Sequence, residues 1–202
     1  MGKLTKDFFR RDTLEAALAL LGRYLVRERD GERLVCRITE TEAYIGAIDK
    51  ACHAYGGKRT ARTEILYGEP GICYVYLIYG MYNCLNFITE DEGTAAGVLI
   101  RGGEAVYGKD TIAELRFGRP FGALSPYQRK NFLNGPGKLC KGLDIDRSLN
   151  GLVCGSDALY IVDELPELGL GPRPEDLAYK TGPRIGVDYA EEARDFPWRF
   201  YI

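Results

Sequence analysis

Leu34-Val35-Cys36-Arg37-Ile38-Thr39-Glu40-Thr41-Glu42-Ala43-Tyr44 is the stretch on which the fold turns. Leu34, Cys36 and Ile38 alternate with Val35, Arg37 and Thr39, the period of two of a strand with one face against a core. The even-numbered stripe runs on into Glu40, Glu42 and Tyr44, so two acids stand at the end of a face that should be buried. Two readings of those acids stay open. In one, the strand emerges into solvent and both are hydrated, the ordinary fate of unpaired charge. In the other, one acid lines a cleft where its ionisation is tuned for general-base work.

Further along the chain, Ala95-Ala96-Gly97-Val98-Leu99-Ile100 is an apolar run with the composition of a buried strand, and it stops on Arg101. An Arg at such an end either pairs with a carboxylate or a phosphate or simply lies on the surface. Between the two stretches, Ile72 to Ile78 is rich in aromatic and β-branched residues and predicts a strand. Gly80 breaks the pattern and Asn83 to Ile88 resumes it, which predicts a hairpin with Tyr79-Gly80-Met81-Tyr82 near its tip. Tyr74 and Tyr76, within the strand, read as core. Tyr79 beside a Gly at a tip is hard to bury and resembles the wedges that enter a DNA groove and unstack a base step. Asn86, on the returning strand, offers its amide to a base edge or to backbone.

The rest of the chain reads as scaffold. Asp12 to Gly22 is a helix with a capping-box-like start at Asp12 and Glu15, apolar residues at 14, 17, 18 and 21, and Gly22 as a stop. Asp110 to Arg116 is a second helix, and segments 117–126 and 165–174 are loops. Gly135-Pro136-Gly137-Lys138 lacks the flanking residues of a Walker motif and reads as a turn opening a helix, with free N–H groups suited to a DNA phosphate. With 202 residues and 46% hydrophobic content, one core is expected and nothing argues for two domains. No signal peptide, membrane-length apolar segment or repeat stands out. The six Cys lack paired spacing and read as reduced core thiols of a cytosolic protein. A single His and no C-x-x-C argue against a zinc site or an iron–sulfur cluster. A net charge of −2 does not announce a nucleic-acid binder. Binding DNA would require basic residues gathered on one face, for which Lys58, Arg59 and Arg62, Arg129 and Lys130, and Lys138 and Lys141 are candidates.

Taken together, Asp12-Thr13-Leu14-Glu15, Leu20-Leu21-Gly22, Glu40-Thr41-Glu42-Ala43-Tyr44, Ala51-Cys52-His53, Pro70-Gly71, Tyr74 to Asn86, Gly135-Pro136-Gly137-Lys138-Leu139-Cys140, Arg184-Ile185-Gly186-Val187 and Trp198-Arg199-Phe200-Tyr201 match one family in order. The chain resembles the alkyladenine (3-methyladenine) DNA glycosylases in their short, single-domain bacterial form. The resemblance covers nearly the whole chain. It implies that Glu42 is the general base that activates water to attack C1′ of a damaged nucleotide, with Arg101 near that water and the sugar-phosphate. It places Tyr44 and Tyr76 on either side of a flipped base, with His53 completing the pocket through its ring and backbone. It makes Asn86 the pocket residue that rejects guanine by obstructing its exocyclic amine. Tyr79, with Met81 beside it, is implied as the side chain that fills the vacated place in the duplex.

The chemistry suits those roles. A stacked base hides its glycosidic bond, so it must be extruded, at a cost of a few kcal/mol that is smaller for a damaged base. A base made cationic by alkylation stacks well between electron-rich rings and is already a good leaving group. The chain departs from the family at Thr60-Ala61-Arg62-Thr63, where Thr-Pro-Arg-Asn is usual, which is expected to loosen the loop between His53 and the hairpin. Tyr67 stands for a usual Phe, and Asn83 for an aromatic or apolar residue.

The expectation is therefore an α/β (α+β) fold, residues 1–202 forming a single compact domain with a curved, mostly antiparallel sheet, flanking helices and a protruding DNA-intercalating β-hairpin. The expected activity is that of a monofunctional glycosylase acting on alkylated or deaminated purines in double-stranded DNA, without cofactor or metal, as a monomer in the bacterial cytoplasm. No Lys matches the catalytic part of the motif, which argues against Schiff-base chemistry. A non-catalytic module that binds damaged nucleic acid is the alternative. A small-nucleoside hydrolase fits less well, because a free nucleoside requires no wedge.

Overall fold

The computed structural model describes residues 2–202. Its strands are β1 (Tyr24–Arg29), β2 (Glu32–Ile45), β3 (Cys73–Ile78), β4 (Tyr82–Ile88), β5 (Ala96–Tyr107), β6 (Leu159–Val162), β7 (Lys180–Gly182) and β8 (Arg199–Tyr201). They form one eight-stranded sheet in the order β3-β4-β5-β2-β1-β6, with β8 on β2 and β7 beyond β8. Every pairing is antiparallel. One edge of β2 serves two partners, β1 over Glu32 to Arg37 and β8 over Glu40 to Glu42. The strand bends between them, and the sheet curls as expected from the sequence.

That bend corrects the sequence reading of the two acids. Against β5, Ile38 lies opposite Gly103, Glu40 opposite Gly102 and Thr41 opposite Ile100. Thr39 is thus an extra residue on β2, and Arg101 is an extra residue on β5. A bulge of one residue reverses which face each later side chain occupies. Leu34, Cys36 and Ile38 belong to the main core, and beyond the bulge so does Ala43, while Thr41 donates to Ala17 O at 2.8 Å. Glu40, Glu42 and Tyr44 therefore leave the core-facing stripe and stand on the opposite face of the sheet. Nor does β5 stop at Ile100: it bulges at Arg101 and runs on to Tyr107. Gly103 permits this, since a Cβ there would lie 2.7 Å from the Arg37 carbonyl oxygen.

Five helices flank the sheet: α1 (Lys6–Phe9), α2 (Thr13–Leu20), α3 (Lys109–Phe117), α4 (Pro126–Lys130) and α5 (Pro136–Gly142). Asp12 caps α2 by accepting from Leu14 N and Glu15 N, and α2 buries Ala16, Ala17 and Leu20. The second expected helix, α3, extends to Lys109 and Phe117. The expected loops 117–126 and 165–174 each hold a short 3-10 turn, at Phe121–Ala123 and Pro166–Leu168. α5 opens at Pro136, as the Gly-Pro-Gly turn predicts, and packs on β4. All six cysteines are buried and unbridged. No helix among the described residues is long and apolar enough to cross a membrane.

Candidate active site

On the face of the sheet to which the bulges turn Glu42 lies a cavity of about 380 Å³, within the range of small-ligand sites. The Glu42 side chain forms its floor at 1% exposure. Its Oε1 accepts from Arg101 Nε at 3.0 Å and from Ile185 N at 2.8 Å, and its Oε2 accepts from the Tyr44 hydroxyl at 2.8 Å. An ionised carboxylate has about four acceptor sites, so one remains open, on Oε2. Burial raises the Glu42 pKa above the ordinary carboxylate range, against the pull of Arg101, the Ile185 N–H and the Tyr44 hydroxyl. Burial, then the Glu42 charge, pushes the Tyr44 phenol well above its usual range, so its hydroxyl stays a donor. The arrangement holds a poorly solvated base with one free lone pair beside open volume.

The walls are aromatic. Tyr44, His53, Tyr74 and Tyr76 all line the cavity. His53 meets Tyr76 edge-on at 4.7 Å between ring centroids, and Tyr74 lies 5.0 Å from Tyr76. The His53 ring is held at both nitrogens: Nδ1 lies 3.0 Å from the Tyr74 hydroxyl, and Nε2 accepts from Arg62 Nη2 at 3.3 Å. Because a guanidinium only donates, Arg62 places the proton of neutral His53 on Nδ1. Burial, then the Arg62 charge, lowers the His53 pKa to about 4, which keeps the ring neutral near physiological pH. Asn86 is buried in the wall and donates from Nδ2 to Tyr74 O at 3.1 Å, so it both lines the cavity and satisfies backbone. The loop expected to loosen is instead tied down: Thr63 is buried, donates to Lys58 O at 2.8 Å and accepts from Thr60 N at 2.9 Å. The Tyr67 hydroxyl donates to Lys58 O at 3.4 Å, whereas Asn83 Oδ1 is buried without a partner.

At the rim stands the hairpin of β3 and β4. Tyr79 (φ +53°) and Gly80 (φ +69°) occupy the centre of a turn closed by Met81 N donating to Ile78 O at 3.2 Å. Two successive left-handed residues match the twist of a tight hairpin, and the Tyr is held there against its preference. Tyr79 is 78% exposed and Met81 67%. The hairpin is braced from below by α5, where a Cβ on Gly137 would lie 2.8 Å from Tyr82 Cβ. Across the opening lies the 185–189 segment, with Ile185 and Tyr189 both exposed and both lining the cavity.

The structure thus brings Glu42, Arg101, Tyr44, His53, Tyr76 and Asn86 together around one cavity, with Tyr79 on its rim and Met81 beside Tyr79 at the tip. Several contributors escaped the sequence reading. The Ile185 N–H is a backbone donor and carries no side-chain signature. Arg184 and Asp49, both fully buried, form a pair with Nη2 and Oδ1 2.8 Å apart. Arg184 also donates to Ala43 O and Ala193 O, and its guanidinium lies over the rings of Tyr44 at 4.7 Å and Trp198 at 5.0 Å. This pair anchors the segment that delivers Ile185 to Glu42. The one available signal was the Arg184-Ile185-Gly186-Val187 motif, which marks the place without showing the contact. Among the described residues, no group of three or more His, Cys, Asp or Glu is arranged to hold a metal ion.

A family model described as methylpurine-DNA glycosylase matches residues 7–202. A Clostridium perfringens (strain SM101) protein named "Putative 3-methyladenine DNA glycosylase" is 53% identical over 201 residues, covering 99% of this chain and 95% of the relative. Proteins of the same name from Clostridium perfringens (strain 13) and Clostridium botulinum (strain Loch Maree) are each 52% identical over the same shares of both chains.

Proposed function

The chain belongs to the methylpurine-DNA glycosylase family, and from that membership we propose that it removes alkylated or deaminated purines from double-stranded DNA by extruding the damaged nucleotide and directing water at C1′. As a DNA glycosylase it is a hydrolase of the N-glycosyl bond. Glu42 is the general base. A water on the open acceptor site of Oε2 gives up its proton to Glu42 as its oxygen bonds C1′, and the C1′–N bond breaks with its electron pair going to the base. A cationic alkylated purine departs neutral, a deaminated purine departs as an anion that takes a proton from solvent, and an abasic site is left. Arg101 donates from Nε to Oε1, which sets its guanidinium beside the incoming water and the sugar-phosphate. The same carboxylate offsets the positive charge that develops on the sugar in the transition state.

Tyr44, Tyr76 and His53 stack on and edge the extruded base. A neutral His53 suits this role, because an imidazolium would repel a purine made cationic by alkylation. Asn86 guards the wall against the exocyclic amine of guanine. Tyr79 enters the duplex where the base has left, with Met81 beside it. The observation that carries the reading is a buried carboxylate with one free acceptor site, facing an aromatic cavity large enough for a purine. The test is single-turnover release of base from duplexes carrying hypoxanthine or ethenoadenine and from methylated DNA. Release by the parent protein and its loss in Glu42→Gln are expected. Lesion-specific binding without release from any of these substrates would instead assign a binding module.

A further inference from the structure

Glu40 and Glu42 project from the same face of β2, and the water-activating role requires only Glu42. Glu40 has its own partners: Oε1 accepts from Arg199 Nη1 at 2.9 Å, and Oε2 lies 3.6 Å from Arg101 Nη1. Arg101 therefore spans both acids, with Nε 3.0 Å from Glu42. Arg199 also donates from Nε to Pro183 O at 2.9 Å. Pro183 stands two residues before Ile185, whose N–H donates to Glu42. The contacts close a ring through Glu42, Arg101, Glu40, Arg199, Pro183 and Ile185. Its four charged side chains are 1, 13, 16 and 20% exposed, in that order, so solvent screens them little.

We propose that Glu40 is a positioning residue for the excision reaction: anchored by Arg199, it divides Arg101 between two carboxylates and so limits how tightly Arg101 pairs with Glu42. The proposal rests on Glu42 being the general base. A carboxylate given an undivided guanidinium is a poor proton acceptor, because the pair favours its charged form. Burial is the first cause of the raised Glu42 pKa; Glu40 acts in the same direction, and Arg101, the Ile185 N–H and the Tyr44 hydroxyl oppose it. Also facing this cluster are the Cys84 thiol from β4, Arg184 from the 183–187 segment, Lys138 from α5 near Arg101, and Tyr201 from β8, whose ring lies 4.6 Å from the Arg199 guanidinium.

Two substitutions pull in opposite directions. Glu40→Gln keeps an acceptor for Arg199 but removes the charge, leaving Arg101 to Glu42. Arg199→Gln leaves the Glu40 charge unpartnered and draws Arg101 away from Glu42. Glu42 titration is read by carbon-13 NMR of the side-chain carboxyls, assigned with Glu42→Gln, alongside the pH profile of single-turnover excision. In Glu40→Gln, Glu42 is expected to titrate at lower pH, with the acid limb of excision moving the same way and the plateau rate falling roughly three- to tenfold, as for a weaker base. In Arg199→Gln, the titration is expected to move to higher pH. An unchanged Glu42 titration, or shifts of the same sign in both variants, would overturn the proposal in favour of a purely structural role for Glu40. If Glu40→Gln does not fold, the direction of the Arg199→Gln shift decides. Because the titration needs no substrate, absence of excision by the parent protein would count against the glycosylase mechanism and not against this ring.

Discussion

At the cavity floor, Glu42 is buried beneath three donors on a sheet bulged on both strands; at the rim, Tyr79 is 78% exposed on a backbone that L-residues disfavour. The floor is over-determined: strand register, the Arg184–Asp49 anchor and the Arg101 pair all converge on one carboxylate. The rim is held by little more than a turn and the packing of α5 against Tyr82. Such a division suits the proposed mechanism, in which one water must be held in place while a long, deformable duplex is admitted. In the proposed mechanism the chemistry belongs to the held floor, and strand opening to the exposed tip that carries Tyr79 and Met81.

The largest expected effect tests the floor. Glu42→Gln should lower single-turnover excision by about 10²–10⁴-fold while leaving lesion binding intact; equal loss of binding would erase the distinction between floor and rim. The substitution should not weaken the fold at neutral pH. The folded-state pKa of Glu42 is raised, so the stability linked to this group is present at low pH and declines as pH rises through that raised value. Gln removes the decline, and urea unfolding of both proteins at two pH values measures it.

Next comes the anchor. Asp49→Ala strands Arg184 without its partner in a fully buried site, and loss of one member of a buried pair costs about 3–5 kcal/mol, read as a fall in the urea midpoint. Excision should fall with it even under conditions where the protein stays folded, because the 184–187 segment no longer delivers Ile185 N–H to Glu42.

A smaller effect is expected at the rim. Tyr79→Gly should cost roughly tenfold, about 1.4 kcal/mol, in excision from duplex DNA, and much less from single strands, where no stack must be opened. Stability should change little, since Gly accepts the left-handed turn that Tyr79 occupies under strain. Equal loss on duplex and single strand would place Tyr79 in the base pocket and not at a wedge.

The smallest effect over the assay range concerns His53. Its folded-state pKa of about 4 lies below the ordinary 6.5. The stability it contributes is therefore complete above pH 6.5 and drains away as pH falls toward 4. His53→Gln should flatten that part of the stability–pH curve, measured as the urea midpoint at half-unit steps.

Much of this was legible in the residues. Period-two alternation marked β2, aromatic and β-branched runs bounded by Gly80 marked the hairpin, and Asp12 marked the start of α2. These are local preferences, fixed by a residue and its near neighbours, and they survive folding. The ordered motifs identified the family and singled out Glu42, Arg101, Tyr44, His53, Tyr76 and Asn86, which the fold gathers around one cavity. What the alternation could not show was which face Glu42 would take. Thr39 and Arg101 look like any other strand residues, and only the pairing of β2 with β5 makes each the extra one, reversing the stripe and turning the acid from core to cavity. The same holds for the Ile185 N–H, the Asp49–Arg184 pair and the Arg62 contact that fixes the His53 proton: each joins residues through contacts set by packing, not by sequence spacing. Sequence determined the elements and the chemistry available; register and long-range packing decided where that chemistry points, because a one-residue slip between strands costs little locally and inverts every side chain beyond it.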